Sequence, residues 1–152
     1  MYAVIRREIE VAAPARVVWD YVTNWPKQGE WIPGTRVEVV DAGHGVGGQI
    51  RAWTGVGRLG FWDTMTITAW AVEDDGSARC EMLHTGKVVR GTGEFAVAPR
   101  SPDRCTFLWG ERLILPFGRL GAVAWKLASP LAGAVVDLSL RRMVRRVPDR
   151  SF

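Results

Sequence analysis

Three polar side chains in this chain can do proton chemistry if their strands bring them together: Asp63, His84 and Glu111. An imidazole titrates near neutrality, and a carboxylate beside it makes an acid–base pair. Two turns decide the placement. A tight turn at Asp75-Gly76 pairs Val72 with Arg79, Ile67 with His84 and Asp63 with Val88. That register puts Asp63, Met65, Ile67, Ala69 and Ala71 on one face with Cys80, Met82 and His84. Thr64, Thr66, Thr68, Arg79, Glu81 and Thr85 take the opposite face, which reads as solvent-exposed. A second turn near Ser101 pairs Val97 with Cys105, Phe95 with Phe107, Gly93 with Trp109 and Gly91 with Glu111, so Cys105, Phe107, Trp109 and Glu111 also face inward. A slip of one residue would invert any of these faces.

The inner face is then apolar with a few polar groups, the usual make-up of a small-molecule site. The candidate catalytic residues are His84, Glu111 and Asp63. The candidate ligand contacts are Met65, Ile67, Met82, Gly91, Gly93, Phe95 and Trp109, with Leu127 and Leu131 from a terminal helix. Structural readings stand beside these: Asp63 at a strand end in water, Glu111 paired with Arg112 or Arg119, His84 a satisfied core histidine. Gly91 and Gly93 alternate within one strand, where glycine serves bending or makes room for Trp109 or a ligand.

Other chemistry is missing from the pattern. The glycines at 43, 45, 47 and 48 are followed by neither Lys-Ser/Thr nor a helix, so they read as a hairpin tip and not a phosphate loop. Gly55, Gly57 and Gly60 are candidates for a mobile flap. No nucleophile elbow, zinc motif or Ser-His-Asp set can be assembled. Cys80 and Cys105 lack metal-ligand spacing and read as buried free thiols. Neither a metal nor a cofactor is expected. The net charge is +4, but Arg141, Arg142, Arg145 and Arg146 cluster where cations complement the negative end of a helix dipole. With no recognition motif beside them, nucleic-acid binding is not expected. The opening MYAVIRREIEV is not a signal peptide. Lys126, Pro130 and Asp137 interrupt the apolar run from Leu120 to Leu140, so stable membrane insertion is not expected and a cytoplasmic location follows.

These residues need a scaffold, and 152 residues suffice for one domain with a full core. Alternation predicts a first strand over residues 3–11, then a helix from Pro14 to about Val22 ended by Asn24-Trp25-Pro26. A short helix or turn covers 27–31. Strands are predicted over 35–41, 48–54, 62–72, 78–85, 90–98 and 105–115. A helix over about 119–146 carries an apolar stripe of Leu120, Ala124, Leu127, Leu131, Val135 and Leu138, expected to face the sheet, with a kink at Pro130. The order implies an α+β fold, a curved antiparallel sheet of six or seven strands around a long C-terminal helix, with a cavity between them. Eight Trp residues suit core packing and also cavity walls.

The opening REIEVAAPARVVWDYVTNWPKQGEW resembles the start of the START-like superfamily at Ile9, Ala13, Pro14, Val18, Trp19 and Trp25. This is the helix-grip group of polyketide cyclase/dehydrase and lipid-transport proteins. HTGKVVRGTGEF (84–95) and FLWGERLILPFGRLG (107–121) are similar to a cyclase-like bacterial subgroup. The resemblance spans essentially the whole chain. It implies a single domain over 1–152 and a cavity suited to apolar ligands, and it transfers no catalytic residue. Three functions are open: binding of a lipid or aromatic polyketide-like molecule; a cyclase/dehydratase-type enzyme using His84 with Glu111 or Asp63; and a protein-interaction module with a filled core.

Overall fold

The structure, a computed structural model, describes residues 1–148. Its elements are β1 (Tyr2–Val11), α1 (Ala15–Val22), a short 3-10 helix (Trp25–Glu30), β2 (Thr35–Asp41), β3 (Gln49–Val56), β4 (Leu59–Val72), β5 (Ala78–Thr85), β6 (Arg90–Ser101), β7 (Arg104–Ile114) and α2 (Gly118–Arg146). The strands form one antiparallel sheet in the order β1-β7-β6-β5-β4-β3-β2. Strands β2 to β7 follow one another as hairpins, and β1 closes the sheet by pairing with β7.

Alternation builds the inner face, where Val11, Ile50, Ile67, Cys80, Phe95 and Phe107 are all buried. Helix α1 seals one end. Ala15, Val18, Trp19 and Val22 recur at helical spacing and enter the core. The Thr23 hydroxyl donates to the Trp19 carbonyl at 2.7 Å where the helix stops.

Two hairpin registers differ from the sequence-based ones. In β4–β5 a bulge falls between Ile67 and Ala69. Past it Trp70, not Ala69 or Ala71, faces inward, opposite Cys80 and tilted against Trp19 at 5.2 Å between ring centroids. A bulge inserts one unpaired residue and so flips every side chain beyond it. In β6–β7 the pairing lies two residues from the expected one, because the strands run on to Ser101 and Arg104. A shift of two preserves which face each residue takes, but it moves Gly93 opposite Glu111 and Gly91 opposite Leu113. Gly55 to Gly60 form no separate flap. Gly55 pairs with Gly60 and Val56 with Leu59, so β3 and β4 continue as a hairpin arm.

The largest departure concerns α2. The expected stripe points away from the sheet: Leu127 is 81 % exposed and Leu131 71 %. The inward face carries Gly121, Gly133, Val136, Ser139, Leu140 and Met143. The helix is apolar nearly all round, so periodicity alone offers two stripes. Close approach selects the one with small residues. A Cβ on Gly133 would lie 2.9 Å from an Arg7 guanidinium nitrogen of β1, and Arg7 Nε also donates to Asp137 at 3.1 Å. Pro130 lies within the continuous helix.

Candidate functional site

Strands β4, β5 and β7 bring Asp63, His84 and Glu111 into one hydrogen-bonded row on the inner face. His84 Nδ1 lies 3.0 and 2.9 Å from the two Asp63 carboxylate oxygens. His84 Nε2 lies 3.0 Å from Glu111 Oε2. Trp109 Nε1–H, two residues along β7, donates to Glu111 Oε1 at 2.8 Å. The imidazole is thus clamped between two carboxylates at both nitrogens. Burial alone would hold its pKa down, but the hydrogen bonds and charges of Asp63 and Glu111 together outweigh burial and push it up to about 10. At neutral pH His84 is an imidazolium with both N–H groups committed.

The local sequence explains why the row fits. Gly93 sits across from Glu111, and a Cβ there would meet the carboxylate oxygens at 3.0 and 3.2 Å. Gly93 therefore makes room for Glu111, and the expectation that it leaves space beside Trp109 is corrected by the register. Gly91 serves a bend. Its φ is +129°, and a Cβ would come within 2.1 Å of the Arg112 carbonyl oxygen. The alternative pairings of Glu111 with Arg112 or Arg119 do not form.

The three side chains differ in access: 6 % for His84, 12 % for Asp63 and 18 % for Glu111. Asp63 and Glu111 hold His84 from its two sides, and Glu111 is the most accessible of the three. Its oxygens have lone pairs left after accepting from His84 and Trp109. It can accept a hydrogen bond from a hydroxyl or ammonium, or take a proton. His84 has no free nitrogen for either task.

Among the other candidate contacts, Ile67, Met82 and Phe95 are buried in the core, and Met65 and Trp109 are half-buried against it. Leu127 and Leu131 are not gathered at this site. Sequence reasoning missed Trp31, which is fully buried among Phe95, Phe107 and Trp109, with ring centroids 6.0, 6.2 and 5.8 Å away. It fills part of the space expected to be open. Its indole N–H, buried, has no partner among the described residues. The only hint was an aromatic just before Ile32-Pro33-Gly34. His44 was missed too. It stacks on Trp70 at 4.9 Å, with Nε2 3.0 Å from the Thr23 carbonyl oxygen, and so ties the β2–β3 loop to the end of α1. Among the described residues no cluster of His, Cys, Asp and Glu could hold a metal ion.

The sequence profile of the family described as "Polyketide cyclase / dehydrase and lipid transport" matches residues 2–148. The chain belongs to this family. Comparison with curated proteins gives no match. Solved structures share the fold. An aromatase/cyclase from a Streptomyces species is 17 % identical with a TM-score of 0.73, covering 99 % of both chains. A START superfamily protein from Mycobacterium smegmatis is 14 % identical with a TM-score of 0.72, covering 95 % of this chain and 96 % of that one. A point mutant of norcoclaurine synthase from Thalictrum flavum, in complex with a transition-state analogue, is 20 % identical with a TM-score of 0.58, covering 96 % and 97 %. The fold is thus the START-like helix-grip, and family membership suggests hydrophobic ligand binding or cyclase activity.

Proposed function

We propose that this protein binds a hydrophobic small molecule, a lipid or an aromatic polyketide-like compound, between the concave face of the sheet and α2, with Glu111 as its polar contact. The observation that carries this reading is the buried carboxylate–imidazolium–carboxylate row within an aromatic-lined inner face. A buried ion cluster is a poor way to gain stability, since well-packed apolar residues do as well or better. A row that ends on the most accessible of its three members fits the orientation of a ligand. The buried free thiols Cys80 and Cys105 suit the reducing cytoplasm.

A second reading, a cyclase/dehydratase-type enzyme, is favoured by the geometry of Glu111. Two fixed donors hold its carboxylate, and such positioning is what proton transfer to or from a bound substrate requires. In that reading Glu111 handles the proton, while His84 and Asp63 position it. This differs from direct acid–base work by His84, whose N–H groups are both occupied.

The experiment is native mass spectrometry of retained small molecules, followed by titration of wild type and Glu111→Gln with fatty acids and polyaromatic probes. Saturable binding at one site, weakened about tenfold or more in Glu111→Gln, supports the reading. Lack of saturable binding across both classes refutes it and favours the interaction module, whose filled core the packing of Trp31 on Phe107 and Trp109 would explain. If a ligand with a reactive carbonyl is found, loss of turnover with retained affinity in Glu111→Gln selects the enzyme.

A further inference from the structure

Among the described residues the outward face of α2 is apolar and unpartnered, at the end of the sheet where the exposed charges are cations and the two carboxylates, Asp63 and Glu111, are turned inward onto His84. Phe117 is 84 % exposed and Leu120 77 %, and Val123, Leu127 and Leu131 continue the face. Next to them a groove of about 500 Å³ is lined by Leu115, Pro116, Phe117, Leu120, Ala124 and Trp125, among others. The pairings Tyr2–Ile114 and Gly91–Leu113 bring the start of β1, the start of β6 and the end of β7 to this same end. Tyr2 and Ile114 are exposed there, and the Arg112 guanidinium lies 4.2 Å from the centre of the Tyr2 ring. The segments meeting here, residues 1–5, 82–93 and 112–136, contain Lys87, Arg90, Arg112, Arg119 and Lys126 and not one Asp or Glu.

A continuous exposed apolar face of this extent marks an interaction site. Its charge selects the occupant. A second copy would bring cations against cations with no acid to pair them. An anionic lipid surface pairs with every one of them, while the apolar face enters the boundary between headgroups and acyl chains. We infer that the first half of α2 and the adjoining end of the sheet form a docking surface for anionic lipid bilayers. This is docking at the surface. Helix α2 is long and apolar enough to cross a membrane, but Val136, Leu140 and Met143 on its other face are core residues. Spanning would tear them out of the fold. The inference goes beyond ligand binding on the concave face and does not depend on it.

The test is flotation of the full chain with vesicles of phosphatidylcholine alone or with about 30 mol % phosphatidylglycerol. Binding to the mixed vesicles should exceed binding to phosphatidylcholine by at least tenfold and should weaken as salt rises. Leu127→Glu with Leu131→Glu should abolish it, and Arg119→Glu with Lys126→Glu should remove the preference for the anionic lipid. All four side chains are exposed, so the variants keep the fold, as circular dichroism checks. Equal binding to both vesicle types, or to neither, overturns the inference. So does a wild-type dimer in sedimentation that the Leu variants convert to monomer, since a second copy would then cover this face.

Discussion

His84 offers the sharpest quantitative test of the site. Its folded-state pKa of about 10 lies above the ordinary value of about 6.5. The stabilisation from this difference is complete below about pH 6.5 and is lost as pH climbs through 10. At 1.36 kcal/mol per pH unit, the contribution should fall by roughly 2.5 kcal/mol between about pH 7 and pH 9. Glu111→Gln removes one of the two carboxylates and returns His84 toward its ordinary value, so the same interval should cost that variant much less. Burial also raises the thiols, Cys80 to about 12 and Cys105 to about 11. Their alkaline contributions are common to both proteins and cancel in the difference. The assay is urea unfolding of wild type and Glu111→Gln at the two pH values. Nitrogen NMR of the imidazole, with His44 assigned by substitution, reads the titration directly. A wild-type stability that changes no more than the variant's, or a His84 that titrates near 6.5, would refute the clamped imidazolium and the role it gives Glu111.

Leu127→Ala and Leu131→Ala should each change stability by less than about 0.5 kcal/mol, whereas Leu140→Ala, 3 % exposed in the wild type, should cost about 2–5 kcal/mol in the same denaturant series. Gly93→Ala should push the Glu111 carboxylate off His84 and Trp109, at about 1–3 kcal/mol, with a change in Trp fluorescence that reports the lost Trp109 hydrogen bond. Gly91→Ala should cost more than Gly93→Ala, because its new Cβ meets backbone at a positive φ and not the end of a side chain.

Much of this architecture is written in local pattern. Strand alternation and turn residues such as Asp75-Gly76 give β5 over Ala78–Thr85 as expected, and the helix over 118–146 follows from its long apolar run. The inward placement of Asp63, His84 and Glu111 survives because the register differences around them are even. What local pattern lacks is anything set by shape. The bulge beside Thr68 leaves no mark in hydrophobicity, yet it exchanges Trp70 for Ala69 and Ala71. The outward stripe of α2 is the richer in leucine, and what turns the other inward is close approach at its glycines, Gly121 against the Pro116 carbonyl and Gly133 against Arg7, which hydrophobicity does not record. The doubly bonded imidazole and the plug of Trp31 arise from contacts between residues far apart in the chain.

The pairing of β1 with β7 has a consequence for how the chain reaches this fold. Strands β2 to β7 can zip up as successive hairpins, each closing a short loop. Strand β1 is made first, but its partners are the last strand: Tyr2 faces Ile114 and Val11 faces Cys105. It therefore waits, unpaired, until nearly the whole sheet has been synthesised, and its docking carries the entropic cost of the longest closure in the molecule. Helix α2 touches β1 through Arg7 and Asp137, so that contact forms only with the closure. The order of synthesis and the order of assembly run in opposite directions, and the strand of this sheet that is made before the others is among the last to become native.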